Sequence, residues 1–140
     1  MKHLLWISAL LVVLALPSAV YGEQDPCALA VKSSAMFGIN TGGWQQVIPG
    51  VTGKHIYVCN VVFSGYATSG GFTMTFAGSS SGCSSNFTFL GNLSPNNNVV
   101  VNAGGGSSTQ FTVPANDSFC ISSTGSGTVY SSGWVAYVQR

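Results

Sequence analysis

The chain has 140 residues, of which only seven are charged (Lys2, Lys32, Lys54, Arg140, Glu23, Asp25 and Asp117), while Ser, Thr, Asn and Gly together supply 57. An ordinary globular domain is about 25% charged, so hydroxyls and amides rather than ions keep this surface wet. That composition excludes a basic stripe for nucleic acid and the multi-carboxylate sites that calcium needs.

At the N-terminus, Met1-Lys2-His3 precedes an apolar run from Leu4 to Leu16 that only Ser8 interrupts. The run is shorter than the about 20 residues of a membrane helix but suits the core of a secretory signal. Pro17 and small residues follow, which puts the expected cut after Gly22, with Val20 and Gly22 as the small residues before it. Residues 1–22 are thus read as a cleaved signal peptide and 23–140 as a single domain with no membrane span left. That domain balances Lys32, Lys54 and Arg140 against Glu23, Asp25 and Asp117, and is large enough for one compact core.

Four cysteines, Cys27, Cys59, Cys83 and Cys120, form no Cys-x-x-Cys pair and have no neighbouring metal-type histidine, which argues against zinc. In the oxidising compartment reached by export, two disulfides are expected, each worth about 3–4.5 kcal/mol by loop closure. Three pairings are open. Cys59–Cys120 with Cys27–Cys83 is preferred, because Cys59 and Cys120 both lie in strand-like runs.

Helix formers are scarce after residue 22, and thirteen valines punctuate runs bounded by Gly, Ser, Asn and Pro. The first candidate strand is Val31–Asn40, followed by a Thr41-Gly42-Gly43 turn and Trp44–Ile48, closed by Pro49-Gly50. Lys54–Phe63 is apolar on both faces, with Ile56, Val58 and Val62 on one and Tyr57, Cys59, Val61 and Phe63 on the other. A strand covered on both sides belongs at the centre of a sandwich. Phe72–Phe76 alternates, Asn86–Leu90 puts Phe87 and Phe89 on one face, and Val99–Val101 and Gln110–Val113 are short. Asp117–Ser122 and Val129–Gln139 complete the series, the last alternating Trp134, Ala136 and Val138 against Val135, Tyr137 and Gln139. The pattern predicts an all-β fold, a single antiparallel β-sandwich of jelly-roll or Greek-key type with about eight or nine short strands. Gly78–Gly82, Asn96–Asn98 and Gly104–Ser108 read as surface loops between them.

Catalytic chemistry has few carriers. After signal removal the single histidine is His55, read as a half-exposed strand residue, and no Gly-x-Ser-x-Gly elbow occurs. Glu23 and Asp25 sit at a terminus read as frayed, which leaves Asp117, itself a turn residue, without a partner for carboxylate-pair chemistry. The Gly104–Gly106 run has no adjacent Lys to make a phosphate loop. The expectation is a non-enzyme with no cofactor and no metal. Two features point to binding. Trp44, Tyr66, Tyr130 and Tyr137 are candidate exposed aromatics beside amide-rich loops, an arrangement that suits sugars; the plainer reading has them pack the core or cover a sheet face. Asn86-Phe87-Thr88, Asn92-Leu93-Ser94 and Asn116-Asp117-Ser118 match the N-glycosylation sequon, at a frequency close to chance in so Asn- and Ser-rich a chain.

At Asp25-Pro26-Cys27 with Lys32-Ser33-Ser34, at Ile56-Tyr57-Val58-Cys59, at Gly82-Cys83, at Phe119-Cys120-Ile121 and at Val135-Ala136-Tyr137-Val138-Gln139, the chain resembles a loose group of small secreted or phage-associated proteins. These β-sandwich proteins of environmental bacteria and bacteriophages are described as hypothetical, so the resemblance implies kinship over nearly the whole domain and transfers no activity or site. Gly133-Trp134 ahead of the last strand and Ser81-Gly82-Cys83, where relatives often carry Thr-Asn-Cys, are departures that leave this reading unchanged. The signal peptide favours a cell-surface or extracellular-fibre role over capsid assembly in the cytoplasm.

Charged side chains normally blunt sheet edges against other chains, and this chain has almost none. The expected function is therefore a secreted structural or adhesive subunit, self-assembling into an extracellular or surface fibre or layer. Trp44, Trp134 and Tyr137 are the expected contact residues. The alternatives are a module binding carbohydrate or a cell surface through exposed aromatics, and a fimbrial-type subunit completed by a donated strand. Localisation is expected to be extracellular, at the cell surface or periplasmic, with copies of the chain as partners and no nucleic acid.

Overall fold

The computed structural model describes residues 24–40 and 42–140, so the expected signal peptide lies outside the described residues. One helical turn, α1 (Pro26–Leu29), opens the fold; Asp25 caps it by accepting a bond from the Cys27 N–H at 2.8 Å, and Pro26 stands where a missing N–H costs nothing. Seven strands follow: β1 (Ser33–Asn40), β2 (Trp44–Ile48), β3 (Ile56–Ser79), β4 (Phe87–Leu93), β5 (Val99–Ala103), β6 (Phe111–Val113) and β7 (Ser118–Gln139). All pairings are antiparallel and belong to one sheet: β7 binds β1, β2 and β3, and β3 also binds β4, β5 and β6.

Seven strands replace the expected eight or nine, and the two central ones are long, at 24 and 22 residues. The runs Lys54–Phe63 and Phe72–Phe76 are two halves of β3; Asp117–Ser122 and Val129–Gln139 are two halves of β7. The intervening Gly, Ser and Thr residues read as turns, yet they stay in the sheet as irregular ladder. Register shifts fall between Ala67 and Phe72, and Gly70 (φ 71°) and Gly127 (φ 74°) take left-handed conformations there.

At this irregular stretch the sheet folds back on itself. Phe63 and Phe76 lie thirteen residues apart on β3, a span of about 43 Å in a straight strand; their rings are 6.4 Å apart. One layer contains β1, β5, β6 and the halves of β3 and β7 near Ile56 and Gln139; the other contains β2, β4 and the remaining halves. Between them lies the core, in which Phe63, Phe76, Phe119, Ile121 and Val135 are at most 1% exposed. Phe76 is its hub, touching the rings of Phe111 (5.2 Å) and Phe119 (6.2 Å) as well as Phe63.

A bulge at Cys59 overturns the alternation expected for Lys54–Phe63. The register shifts between Val58 and Asn60, so Ile56, Val58, Val61 and Phe63 all join the main core while Tyr57 and Cys59 pack outside it with Cys27 and Val138. The preferred disulfide pairing is also overturned: the bonds are Cys27–Cys59 (Cα–Cα 5.4 Å) and Cys83–Cys120 (Cα–Cα 5.8 Å). Cys59 faces outward from one layer. Cys120 faces outward from the other, because its neighbours Phe119 and Ile121 point into the core. The thickness of the sandwich separates them, so each bonds a cysteine in the segment lying over its own layer.

The glycine- and serine-rich patches are wired rather than loose. Ser79 lies within β3; its buried hydroxyl donates to the Ser85 carbonyl (2.7 Å) and accepts from the Cys83 N–H (3.2 Å). In the next patch the Gly106 N–H reaches the Cys59 carbonyl (3.2 Å) and the Gln110 N–H the Val58 carbonyl (2.8 Å). The Asn97 side chain acts as a short strand, accepting from the Ala67 N–H (2.9 Å) and donating to the carbonyls of Ala67 and Gly70. Asp25, read as frayed, is instead bound by Thr109.

Candidate contact face

The Cys83–Cys120 bond holds residues 80–86 over the outside of the β2–β4 layer, and the Cys27–Cys59 bond holds α1 over one end of the other. The rest of that second outer face, built on β1, β7, β3 and β5, carries no covering segment among the described residues. Its composition follows from register. Side chains two apart on a strand share a face, and cross-strand pairs align them into rows.

Three rows cross the strands. Asn40, Tyr130 and Tyr66 form the first; Gly38, Ser132, Ser64 and Val100 the second; Met36, Trp134, Val62 and Asn102 the third. The outer rows are tall and the middle row is short, so the face is a trough with a floor of Gly38, Ser132 and Ser64. At one wall the Tyr66 and Tyr130 rings stack at 5.0 Å with 24° between their planes, and each is about 40% exposed (42% and 39%). Met36 (88% exposed) and Trp134 (40%) make the other wall. Against the tyrosine wall lies a groove of about 450 Å³, where Asn40 and Asn98 add amides. Asn98 is held there by its backbone N–H on the Gly65 carbonyl (3.0 Å) and by a left-handed φ of 60°.

The expected contact residues separate. Trp134 stands on this face. Trp44 lies on the opposite layer, 36% exposed, stacked on Phe87 at 4.3 Å. Tyr137 leaves the expected contact surface altogether, because it points inward with Val135 and packs against the core. The alternation of the last strand placed Tyr137 and Trp134 on opposite faces, and only Trp134 turns outward. Tyr66 and Tyr130 were legible as candidate aromatics; Gly38, Ser64 and Ser132 were not, since a small residue signals a trough floor only once the register of its neighbours is known.

The remaining sequence candidates sit apart. His55 precedes β3, exchanges backbone bonds with Arg140 (2.9 and 3.1 Å), and keeps Nδ1 3.1 Å from the Val113 carbonyl. Asp117 closes a turn through its N–H to the Pro114 carbonyl (3.2 Å). Among the described residues no three His, Cys, Asp or Glu side chains gather as a metal site, and no helix is long and apolar enough to cross a membrane. Asn86, Asn92 and Asn116, the sequon residues, are all exposed. Asn116 also accepts the Gly53 N–H at 2.9 Å. No protein-family model matches the chain, and no curated protein matches it in sequence.

Proposed function

We propose that this protein is a non-enzymatic structural or adhesive subunit that is exported and associates with copies of itself through its sheet edges. One observation carries the reading: β1, β2, β4, β5 and β6 each pair on one side only, and none of the seven strands contains a charged residue or a proline. Lysines and prolines are the usual devices that stop an edge from accepting a foreign strand. Their absence leaves five edges with backbone donors and acceptors and neutral side chains. Phe89 on β4 (65% exposed) and Val100 on β5 (69%) add apolar contact beside them. Edge pairing supplies backbone hydrogen bonds between subunits without separating charge from water. The two disulfides support work in an oxidising compartment.

A donated strand is not favoured by this geometry. Sixteen residues of the main core are each 6% exposed or less, so the core is closed rather than open along a groove. Self-association is tested by light scattering and electron microscopy of the secreted protein over a wide concentration range. Assemblies are expected, and Phe89→Lys with Val100→Lys is expected to reduce them to monomers with the fold intact. A wild-type protein that stays monomeric at high concentration sinks the reading, as do assemblies indifferent to both substitutions.

A further inference from the structure

We infer that the trough on the outer face of the β1–β7–β3–β5 layer binds a neutral polysaccharide chain. The inference does not rest on edge pairing, because the binding groups of the trough are side chains on a sheet face; the two surfaces meet only at Val100, where the floor row reaches β5.

The chemistry of the face selects the ligand. Backbone groups of β7 and β3 are engaged in the ladders that pair them on both sides, so an extended peptide finds no strand to join here. What is offered is side-chain chemistry of two kinds. Tyr66, Tyr130 and Trp134 present aromatic surface with partial exposure. Ser64, Ser132, Asn40 and Asn98 offer hydroxyls and amides, each able both to donate and to accept. A pyranose ring has the matching pair of features, a C–H face that lies on an aromatic ring and a rim of hydroxyls that exchange bonds with hydroxyls and amides.

Charge and shape narrow the class further. The strands forming this face carry no ionic side chain, so nothing here compensates the carboxylates or sulfates of an acidic polymer, and desolvating them against this surface is costly. The floor of Gly38, Ser132 and Ser64 runs across the strands towards Val100. Four strands span about 14 Å at the usual spacing, the length of about three sugar units. The tall rows stand four residues apart along each strand, about 13 Å between Cα positions, which leaves room for one chain between the side chains. The floor row runs from Gly38 on one edge strand to Val100 on the other, so a chain lying along it crosses the full width of the layer.

The test uses the protein secreted from its full-length gene, with native affinity electrophoresis in gels containing single soluble polysaccharides: hydroxyethyl cellulose, a β-1,3-glucan, dextran, mannan and galactan, with alginate as the acidic comparison. At least one neutral polymer is expected to retard the protein, with little change on adding salt. Ser132→Lys, which fills the trough floor from an exposed position, and Tyr130→Ala are each expected to weaken retardation at least about tenfold, while Trp44→Ala on the opposite layer leaves it unchanged. Thermal unfolding of each variant confirms the fold, and Ser132→Lys keeps the test decisive if Tyr130→Ala unfolds. Retardation by no neutral polymer overturns the inference, as does retardation by alginate alone or retardation that Ser132→Lys leaves intact. Binding of a proline-rich peptide to the same trough in the absence of glycan binding assigns the face to another ligand and overturns it equally.

Discussion

Thr109 donates both its backbone N–H (2.7 Å) and its hydroxyl (2.6 Å) to the carboxylate of Asp25, across 84 positions of sequence. The same carboxylate caps α1, so one side chain ties the start of the domain to the segment before β6.

Those bonds favour the charged carboxylate and hold the Asp25 pKa below its ordinary value, with the Thr109 hydroxyl as the largest cause and the Thr109 N–H next. A depressed pKa in the folded state contributes stability above the unfolded-state pKa, and that contribution is lost as pH falls through the folded value. Thermal unfolding between about pH 7 and about pH 2 should therefore show an acid-side loss of stability that is smaller in Asp25→Asn. Equal acid sensitivity in the two proteins would show that this carboxylate does not couple to folding.

Non-reducing peptide mapping should recover Cys27 joined to Cys59 and Cys83 joined to Cys120. Removing either pair by double Ser substitution should cost about 4 kcal/mol in denaturant unfolding, since the bonds close loops of similar length. Any recovered Cys59–Cys120 peptide contradicts the two-layer placement.

Two glycines that share a cross-strand neighbourhood should behave oppositely. A methyl group on Gly133 would meet the Val62 carbonyl oxygen and the Phe63 Cα at 2.8 Å, both backbone atoms that cannot step aside, whereas one on Gly38 meets nothing within 4 Å. Gly133→Ala should destabilise by about 2 kcal/mol or more, and Gly38→Ala should stay within about 0.5 kcal/mol, as read from urea midpoints.

Asn97→Ala should cost about 1–3 kcal/mol, because it leaves the buried Ala67 N–H without its acceptor. Asn96→Ala, one position away and exposed, should be neutral. Hydrogen exchange at Ala67 offers a direct readout: it should accelerate in Asn97→Ala and in no other substitution of the Asn96–Asn98 run.

Much of this arrangement was legible in the residues. The runs of Val, Ile and Phe located nearly every stretch of regular strand, and the period of two in Val129–Gln139 divided its residues between two faces without telling which one turns inward. What local pattern could not show is how distant runs join. Glycine, serine and threonine between Phe63 and Phe72, and between Ser122 and Val129, have the composition of turns, and only pairing between the two irregular stretches keeps both in the ladder. The bulge at Cys59 likewise depends on a partner strand, and it inverts the faces of β3 from Asn60 to Ala67, where the next irregularity restores them. The disulfides followed from the folding over of the sheet, which puts Cys59 and Cys120 on opposite outer faces and is not encoded in cysteine spacing. The trough was hidden for a related reason: its floor residues come from three separate strands and are individually unremarkable.

The long β3–β7 ladder has a kinetic consequence. Its strands pair from Ile56–Gln139 to Ser79–Ser118, and the chain between them includes β4, β5 and β6, each of which pairs with β3. Pairing over such separations has to close a long loop before the contacts that reward it can form, which slows folding. Cys83 lies just beyond the end of β3 and Cys120 just inside the start of β7, so their bond sits at the neck of that loop. A chain oxidised there begins its search with the loop already closed. Cys27–Cys59, placed outside the loop, gives no such head start, so the two bonds divide between them the tasks of speeding the chain's arrival at its fold and fastening α1 to β3 once there.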